Sequence, residues 1–190
     1  MRLVFFAGSA RDDSFNKKLA RAAYAHAQSK GADATFIDLA AYSMPLYDGD
    51  LEAESGVPAN AQALKSVFKA ADGMFIASPE YNSGFSPLLK NIIDWCSRSE
   101  GIDDPMLSAF NGKVVCMGAV SPGALGGMRG LVMLRMLLGN IGMHVIPQQV
   151  TVKNAFDAFD ENGALTDDMA DLTLKLGVDA LLDATKRLKS

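Results

Sequence analysis

Three polar segments of the chain carry the side chains that could do chemistry. The first, residues 8–16, reads Gly-Ser-Ala-Arg-Asp-Asp-Ser-Phe-Asn and stands directly before a segment with helical apolar spacing. Free N–H groups and the positive dipole end make a helix N-terminus favourable for an anion. Ser14 alone would satisfy a helix cap. A cation at Arg11, beside Ser9, has no use in capping and suits a bound phosphate, so the segment predicts a phosphate cradle.

The other two segments are each open to two interpretations. Residues 78–87 place an aromatic side chain and a carboxamide, Tyr81 and Asn82, among turn-forming residues. This stretch is either a plain connection or a loop that presses backbone N–H groups and a flat side chain against a planar heterocycle. Residues 121–127 hold three glycines, which permit either a tight turn or a close approach of the backbone to a ligand.

The common nucleotide signatures are absent from the sequence. The first segment lacks the Gly-x-Gly-x-x-Gly pattern of dinucleotide sites, and the only Gly-Lys pair, Gly112-Lys113, is followed by Val114 rather than Ser or Thr. A hydroxyl-rich cradle without lysine suits a terminal monophosphate that is held rather than transferred.

Five short apolar strands must position these segments. They are predicted at residues 3–7, 34–39, 74–77, 114–117 and 145–152, and they alternate with segments of helical apolar spacing. Unalternating apolar strands interleaved with helices indicate a parallel sheet covered on both faces. Five strands in about 150 residues favour a flavodoxin-like three-layer αβα sandwich with strand order 2-1-3-4-5, as one domain over 1–190. In that fold, ligands bind outside the carboxyl ends of the strands, where the three polar segments lie.

Two predicted helices have more apolar surface than one sheet face needs. The helix at about 131–141 is apolar nearly all round, so it should be covered on more than one side, and the helix at 88–95 adds further apolar surface. Residues 45–58 are predicted to be a loop. Surplus apolar surface of this kind favours subunit association.

Composition excludes several classes of function. The 190 residues have a net charge of −4 and include two histidines and two cysteines far apart in sequence, which argues against a metal cage or a disulfide framework. The chain has no basic run for nucleic acid and no segment that predicts a signal peptide or membrane insertion, so we expect a cytoplasmic protein. Residues 105–156 contain no acid and four basic side chains, which suits a small anion: Lys113, Arg129, Arg135 and Lys153.

With these features in view, the sequence resembles the NADPH-dependent FMN reductase family, the flavodoxin-like group that includes bacterial quinone, chromate and azo-dye reductases. The likeness covers the chain from Met1 to about residue 152. Three motifs carry it: Gly8-Ser9-x-Arg11-x-x-Ser14-x-Asn16, then Pro79-Glu80-Tyr81-Asn82 with Leu89-Lys90-Asn91-x-x-Asp94-Trp95, and the glycine-rich loop from Ser121 to Arg129.

The resemblance implies that the first segment holds the FMN phosphate while the other two lie along and beside the isoalloxazine. It assigns cofactor binding to Ser9, Arg11, Ser14, Phe15, Asn16, Pro79, Glu80, Tyr81, Asn82, Ser121, Gly123, Gly126 and Gly127. It also implies NADPH or NADH as co-substrate, ping-pong transfer to a quinone-like acceptor, and a homodimer or homotetramer in which Arg98 borders the site. Since the flavin performs the redox chemistry, neither a catalytic side chain nor a metal is expected.

Two departures from the family pattern affect the expected pocket. Residues 83–86 replace a common Gly-Ser-x-Pro-Gly type of turn, which leaves Phe85 as either a pocket wall or a core anchor. Pro122 stiffens the glycine loop that the nicotinamide would approach. Whether Arg129 points into the site is left open by the sequence.

Two other functions compete with the reductase. A serine hydrolase would use Ser121 and His144, but the Gly-x-Ser-x-Gly elbow lacks its first glycine and no acid lies between serine and histidine. A non-enzymatic flavin-binding electron carrier or redox sensor is the stronger rival, because fold alone does not fix function. Cys96 and Cys116 are predicted to be inert core thiols.

Overall fold

The computed structural model describes residues 1–189. It contains five strands and six α-helices, with a 3-10 turn at Leu39–Ala41 after the second strand. Their bounds are β1 Arg2–Ala7, α1 Phe15–Ser29, β2 Asp33–Ile37, α2 Gly49–Ser55, α3 Ala59–Ala70, β3 Gly73–Ala77, α4 Pro87–Cys96, β4 Val114–Val120, α5 Met128–Asn140, β5 His144–Val152 and α6 Asp168–Lys189.

The sheet has the predicted order, β2-β1-β3-β4-β5, and every neighbouring pair is parallel. The chain leaves β1 towards one edge and crosses back to β3, so the connections after β1 and β3 diverge at the carboxyl edge of the sheet. That edge is where ligands bind in doubly wound folds. The flavodoxin-like prediction is confirmed.

Helices cover both faces of the sheet. On one face, α1 and α6 bury Leu19, Ala23 and Val178 against the strands. On the other face, α3, α4 and α5 bury side chains such as Phe68 and Ile92. Each strand of the central trio is buried along nearly its whole length, which explains why its sequence runs apolar without alternation.

The prediction that α4 has surplus apolar surface is wrong. Residues 45–58, predicted to be a loop, contain α2 and fold over this helix. The indole of Trp95 is fully buried, its Nε1 donates a 2.8 Å hydrogen bond to the Pro45 carbonyl, and its ring meets Tyr47 edge-on at 5.0 Å. The apolar side of α4 is therefore covered by its own chain.

The chain itself covers only one side of α5, so cover on a second side stays a prediction. Leu131, Leu134 and Leu138 pack inwards, whereas Val132 and Met136 are 62% and 66% exposed on the outward face. An unbroken apolar sequence thus reflects a core face and an exposed apolar face on the same helix. Across residues 1–189, none of the helices is long and apolar enough to span a membrane.

Candidate functional site

The three polar segments meet at the carboxyl edge of the sheet. Gly8 and Ser78 extend the backbone hydrogen bonding of the sheet beyond β1 and β3. The Gly8 N–H donates to the Ala77 carbonyl at 2.8 Å. Ser86, the N-cap of α4, donates from its hydroxyl to the Gly8 carbonyl at 2.5 Å. A Cβ on Gly8 would come within 2.9 Å of Leu89 Cβ, so only glycine lets the first segment pass this close to α4.

Between the three segments lies an open cavity of about 380 Å³, which we call the crevice. Nine of the thirteen predicted cofactor residues line it, and four do not: Asn82, Gly123, Gly126 and Gly127. The lining residues are Ser9, Arg11, Asp13, Ser14, Phe15, Asn16, Pro79, Glu80, Tyr81, Val120, Ser121, Pro122 and Phe156.

Hydrogen-bond donors concentrate at the α1 end of the crevice. Ser14 is the N-cap, and its Oγ accepts the Lys17 N–H at 3.3 Å, which leaves its hydroxyl proton available. The N–H groups of Phe15 and Asn16, in the first turn, have no acceptor within residues 1–189. The exposed guanidinium of Arg11 makes only a 3.5 Å contact to the Asp13 carbonyl. This set of unused donors fits a phosphate.

Asn16 differs from its neighbours in that its side chain is already engaged. Its amide donates to the Val120 carbonyl at 3.1 Å and its carbonyl oxygen accepts the Val120 N–H at 3.0 Å. The side chain therefore fastens α1 to the end of β4, and its backbone N–H remains as the group that can reach a ligand.

The second segment forms a two-residue hairpin. Tyr81 and Gly84 exchange backbone hydrogen bonds of 2.9 and 3.0 Å, and Asn82 and Ser83 both have positive φ, at 51° and 66°. Positive φ at both central residues is the geometry of a type I′ turn. The turn holds the half-exposed Tyr81 at the rim of the crevice. Asn82 lies at the tip of the turn and does not line the crevice.

The Glu80 carboxylate turns towards α5. It accepts the Gly130 N–H at 3.0 Å and two hydrogen bonds from Arg129, at 3.0 and 2.8 Å. Burial alone would raise the pKa of Glu80, but these hydrogen bonds and the positive charge of Arg129 hold that pKa below its ordinary value. Glu80 and Arg129, which we call the clamp, join the second segment to the first turn of α5, which directly follows the third segment.

Packing within the chain explains two of the glycines in the third segment. A Cβ on Gly127, where φ is +88°, would lie 2.6 Å from Ala119 Cβ, and one on Gly126 would lie 2.9 Å from the Val152 backbone. The tight-turn interpretation accounts for both positions. Gly123 has room, since its nearest neighbour would be Ser121 Oγ at 3.7 Å. Ser121 and Pro122 are the residues of this segment that line the crevice.

Phe156 is a wall of the crevice that was not predicted from the sequence. This ring is 77% exposed and meets Phe15 edge-on, with 5.5 Å between centroids. It reaches the crevice because Asn154, with φ of +52°, turns the chain after β5. An isolated aromatic residue just beyond the last strand was the only available signal. Asp13, Val120 and Pro122 complete the lining residues that were not predicted.

Other singled-out residues lie away from the crevice. Phe85 packs against the core, and Arg98 binds Glu52 at 2.8 Å at the far end of α4 from the crevice. Burial raises the pKa of the Cys96 and Cys116 thiols to about 12, so both are inert. No group of three or more potential metal ligands occurs within the part of the chain that the structure describes.

The geometry excludes the serine hydrolase. His144 pairs with Val114 at the start of β4, whereas Ser121 follows the end of that strand. Seven residues of strand separate the two levels by roughly 23 Å, at about 3.3 Å per residue. The two side chains cannot share a proton over that distance.

Comparison with known proteins decides the family. The model of the NADPH-dependent FMN reductase family matches residues 1–157. The chain belongs to this family. An NAD(P)H-dependent FMN reductase of Pseudomonas aeruginosa is 32% identical over 191 residues, covering 100% of this chain and 97% of the relative. A quinone reductase of Escherichia coli is 37% identical over 138 residues, covering 73% of this chain and 69% of the relative.

The similarity of this FMN reductase family member to a solved structure covers nearly the whole chain. FerB of Paracoccus denitrificans, a flavoenzyme NAD(P)H:(acceptor) oxidoreductase, superposes with a TM-score of 0.81 at 26% identity, covering 98% of this chain and 97% of FerB. The match includes α6, which the family model leaves out. The reductase interpretation, rather than the electron carrier, is therefore the correct one.

Proposed function

We propose that this protein is an FMN-dependent NAD(P)H oxidoreductase that holds FMN in the crevice and passes electrons to quinone-like acceptors by a ping-pong mechanism. Family membership supports the flavin and the nicotinamide donor. The observation that carries the assignment of the site is the donor set at the start of α1, because it supplies unused N–H, hydroxyl and guanidinium groups at one end of a cavity flanked by aromatic residues.

In this proposal the first segment holds the phosphate. The N–H groups of Phe15 and Asn16 and the hydroxyl of Ser14 donate to its oxygens, and the Arg11 guanidinium neutralises its charge. The nearby Asp13 carboxylate is paired with Lys18 at 2.6 Å, which limits its repulsion of the anion. The helix N–H groups and the buried Ser14 hydroxyl are preformed at the start of α1, and Arg11 lies in the connection that leads into it.

The second and third segments flank the ring. Tyr81 N–H is used inside the hairpin, whereas the N–H groups of Glu80 and Asn82 have no acceptor within residues 1–189 and can serve the polar edge of the isoalloxazine. The clamp fixes the separation of the two segments. When bound between these segments, FMN would supply the redox chemistry, and the open side beside Tyr81 would admit NAD(P)H and the acceptor in turn.

Substitution of Tyr81 tests the role of the open side. Tyr81→Ala should leave the melting temperature within a few degrees of the parent, because the half-exposed side chain contributes little to the core. It should change KM for a benzoquinone acceptor by about tenfold, through lost contact area at the rim. Tyr81→Phe, which keeps the ring and leaves the turn unchanged, is the matched control. Equal kinetics for the two variants would remove Tyr81 from the acceptor site.

We also infer that the chain self-associates through the outward face of α5, as a homodimer or homotetramer. The exposed Val132, Met133 and Met136 form an apolar face on one helix, and faces of this kind mark subunit contacts. The face lies about one turn beyond the clamp, since Arg129 is in the first turn of the helix. A partner seated there would border the crevice.

Mass measurement in solution tests the association. The parent protein should sediment as two or four chains, and Val132→Glu with Met136→Glu should shift it towards one, because buried charges in an apolar interface are costly. Leu176→Glu, at a comparably exposed apolar position on α6, is the control and should not change the mass. A mass that is the same for all three proteins would contradict the α5 interface.

A further inference from the structure

A second and larger cavity adjoins the crevice. It has a volume of about 600 Å³ and lies between the third segment, the end of β5 and the start of α6, and we call it the groove. Two stretches of chain separate the cavities and line both. In the third segment, Ser121 and Pro122 face the crevice while Leu125 faces the groove; after β5, Phe156 faces the crevice while Lys153 faces the groove.

The groove contains two charged groups without partners. Neither the Lys153 ammonium nor the Asp157 carboxylate forms a hydrogen bond or ion pair within residues 1–189, although both line the same cavity. The other acid, Asp167, is already used, because its Oδ1 accepts the Ala170 N–H at 2.8 Å at the start of α6. A free cation and a free acceptor in one cavity suit a ligand that carries both an anionic group and hydroxyl donors.

The other basic residues of the acid-free stretch are all engaged. Arg129 belongs to the clamp, Arg135 donates to the Ile146 carbonyl at 2.9 Å, and Lys113 donates to the Ala71 carbonyl at 2.5 Å. Lys153 alone among the four has no partner within the described residues. The local basic bias of the sequence therefore leaves one available cation, and that cation faces the groove.

The groove also offers an apolar surface. Leu125 and Met128 line one side and Met169 and Ala170 line the other, with the first three substantially exposed. Methionine side chains are flexible and polarizable, and they adapt well to flat rings. A planar base can lie between these walls while its sugar and phosphates reach the polar residues near the end of β5.

The size of the crevice places a constraint on the electron donor. At about 380 Å³ the crevice lies near the lower end of the range for ligand pockets, roughly 300–1,000 Å³, so a crevice that already holds FMN has little room left for a dinucleotide. When the nicotinamide of NAD(P)H reaches the crevice, the adenosine half must lie on the adjoining surface. The groove is the cavity that shares its walls with the crevice.

We propose that the groove binds the adenosine half of NAD(P)H, with Lys153 contacting a phosphate and Asp157 accepting from ribose hydroxyls. This inference rests on the proposed function and extends it to the recognition of the donor. Lys153 is then a residue for donor affinity and plays no part in holding FMN. The phosphate that Lys153 contacts is either the 2′-phosphate, which only NADPH has, or the adenosine-side phosphate of the pyrophosphate, which both donors share and reduced nicotinamide mononucleotide lacks.

Lys153→Met tests the proposal, because it removes the charge and keeps most of the stem. With the FMN-loaded enzyme and a benzoquinone, KM for NADPH should rise about tenfold, the typical loss for one charge-assisted contact. A rise for NADPH alone identifies the 2′-phosphate, and an equal rise for NADH identifies the pyrophosphate. Reduced nicotinamide mononucleotide lacks the adenosine half, so its KM should be the same for variant and parent.

A direct binding measurement provides a readout independent of turnover. Titration calorimetry of the holoenzyme with adenosine 2′,5′-bisphosphate should show weaker binding to Lys153→Met than to the parent. Lys186→Met removes the same charge from an exposed position near the end of α6 and is the control; it should behave as the parent. The Kd for FMN should be equal in all three proteins.

The possible failures are distinguishable. Unchanged NADPH KM and unchanged bisphosphate binding in Lys153→Met would overturn the groove proposal while leaving the reductase function intact. A rise in KM for the mononucleotide equal to that for NADPH would also overturn it, because the effect would then act at the crevice. Absence of any NAD(P)H or mononucleotide oxidation by the parent would instead contradict the proposed function.

Discussion

The crevice and the groove lie side by side at one edge of the sheet, yet they are built differently. Much of the crevice wall is held by bonds within the protein, as the clamp, the Asn16 bonds to Val120 and the backbone hydrogen bonds between Tyr81 and Gly84 show, while its unused donors are gathered at the start of α1. The charged side chains Lys153 and Asp157 of the groove are left without partners. Preformed geometry suits a cofactor that stays, whereas unpaired exposed groups suit a substrate that comes and goes.

The largest effect is expected at the turn that ends the third segment, because a shift there moves neighbouring residues that line the crevice and the groove. Gly127→Ala would place a Cβ 2.6 Å from Ala119 Cβ at a φ of +88°, and overpacking with left-handed strain together should cost about 3 kcal/mol of unfolding free energy. Chemical denaturation measures this loss. Both FMN and adenosine 2′,5′-bisphosphate should bind less tightly.

Gly123→Ala is the control for that prediction. Its Cβ would meet nothing closer than Ser121 Oγ at 3.7 Å, and its φ is not positive, so stability should change by less than about 1 kcal/mol. Equal stability of the two alanine variants would show that the turn tolerates a side chain at Gly127.

Arg11→Ala should weaken binding at the crevice and leave binding at the groove unchanged. Loss of one charge-assisted contact to the phosphate should weaken FMN binding by about 10- to 100-fold, because hydrogen bonds to charged groups contribute about 1.5–3 kcal/mol. Fluorescence titration of the apoprotein with FMN measures the Kd. Affinity for adenosine 2′,5′-bisphosphate at the groove should stay the same.

Arg2→Ala serves as the control for Arg11, because it removes an equal charge at the opposite end of β1. It should retain the FMN affinity of the parent. An Arg11 variant that binds FMN as tightly as the Arg2 variant would remove the phosphate assignment and with it the basis for calling the crevice a resident cofactor site.

Glu80→Gln should have the smallest effect, and that effect depends on pH. Because the pKa of Glu80 is held below its ordinary value of 4.5, the clamp stabilises the folded state fully above about pH 4.5 and loses that contribution as pH falls further. The variant should melt a few degrees lower than the parent at pH 7.

The difference in melting temperature should shrink as pH falls below about 4.5. Lys90→Met is a suitable comparison, since it breaks the exposed pair with Asp94 on α4, away from the clamp, and should cost little at any pH. A difference for Glu80→Gln that stays constant down to pH 3 would show that the clamp contributes no charge interaction.

The sheet could be predicted from the sequence because its strands are buried on both faces. Five apolar runs separated by helical segments leave few topologies, and all five strands and their order are present. What covers α4 could not be predicted in the same way. The decisive contacts join Pro45 and Tyr47 to Trp95 across about 50 positions, and no local periodicity records contacts over that distance.

At the site, the sequence indicated which segments meet but not which way their side chains turn. Glu80 was assigned to the flavin, yet its carboxylate binds Arg129 and Gly130. Gly126 and Gly127 were assigned to the cofactor, yet they are small because Val152 and Ala119 lie against them. Residue types revealed the chemistry available, whereas orientation depends on partners outside each motif, from 8 positions away for Gly127 to 50 for Glu80, which the motif cannot specify.

The central claim is that the crevice holds a flavin which NAD(P)H reduces. The most direct test is the visible absorption spectrum of the purified protein, saturated with FMN and freed of excess, before and after anaerobic addition of NADPH. The account predicts bound flavin absorbance that bleaches with NADPH and returns when a benzoquinone is added. A protein that takes up no FMN, or bound flavin that NADPH and NADH both leave oxidised, would contradict it.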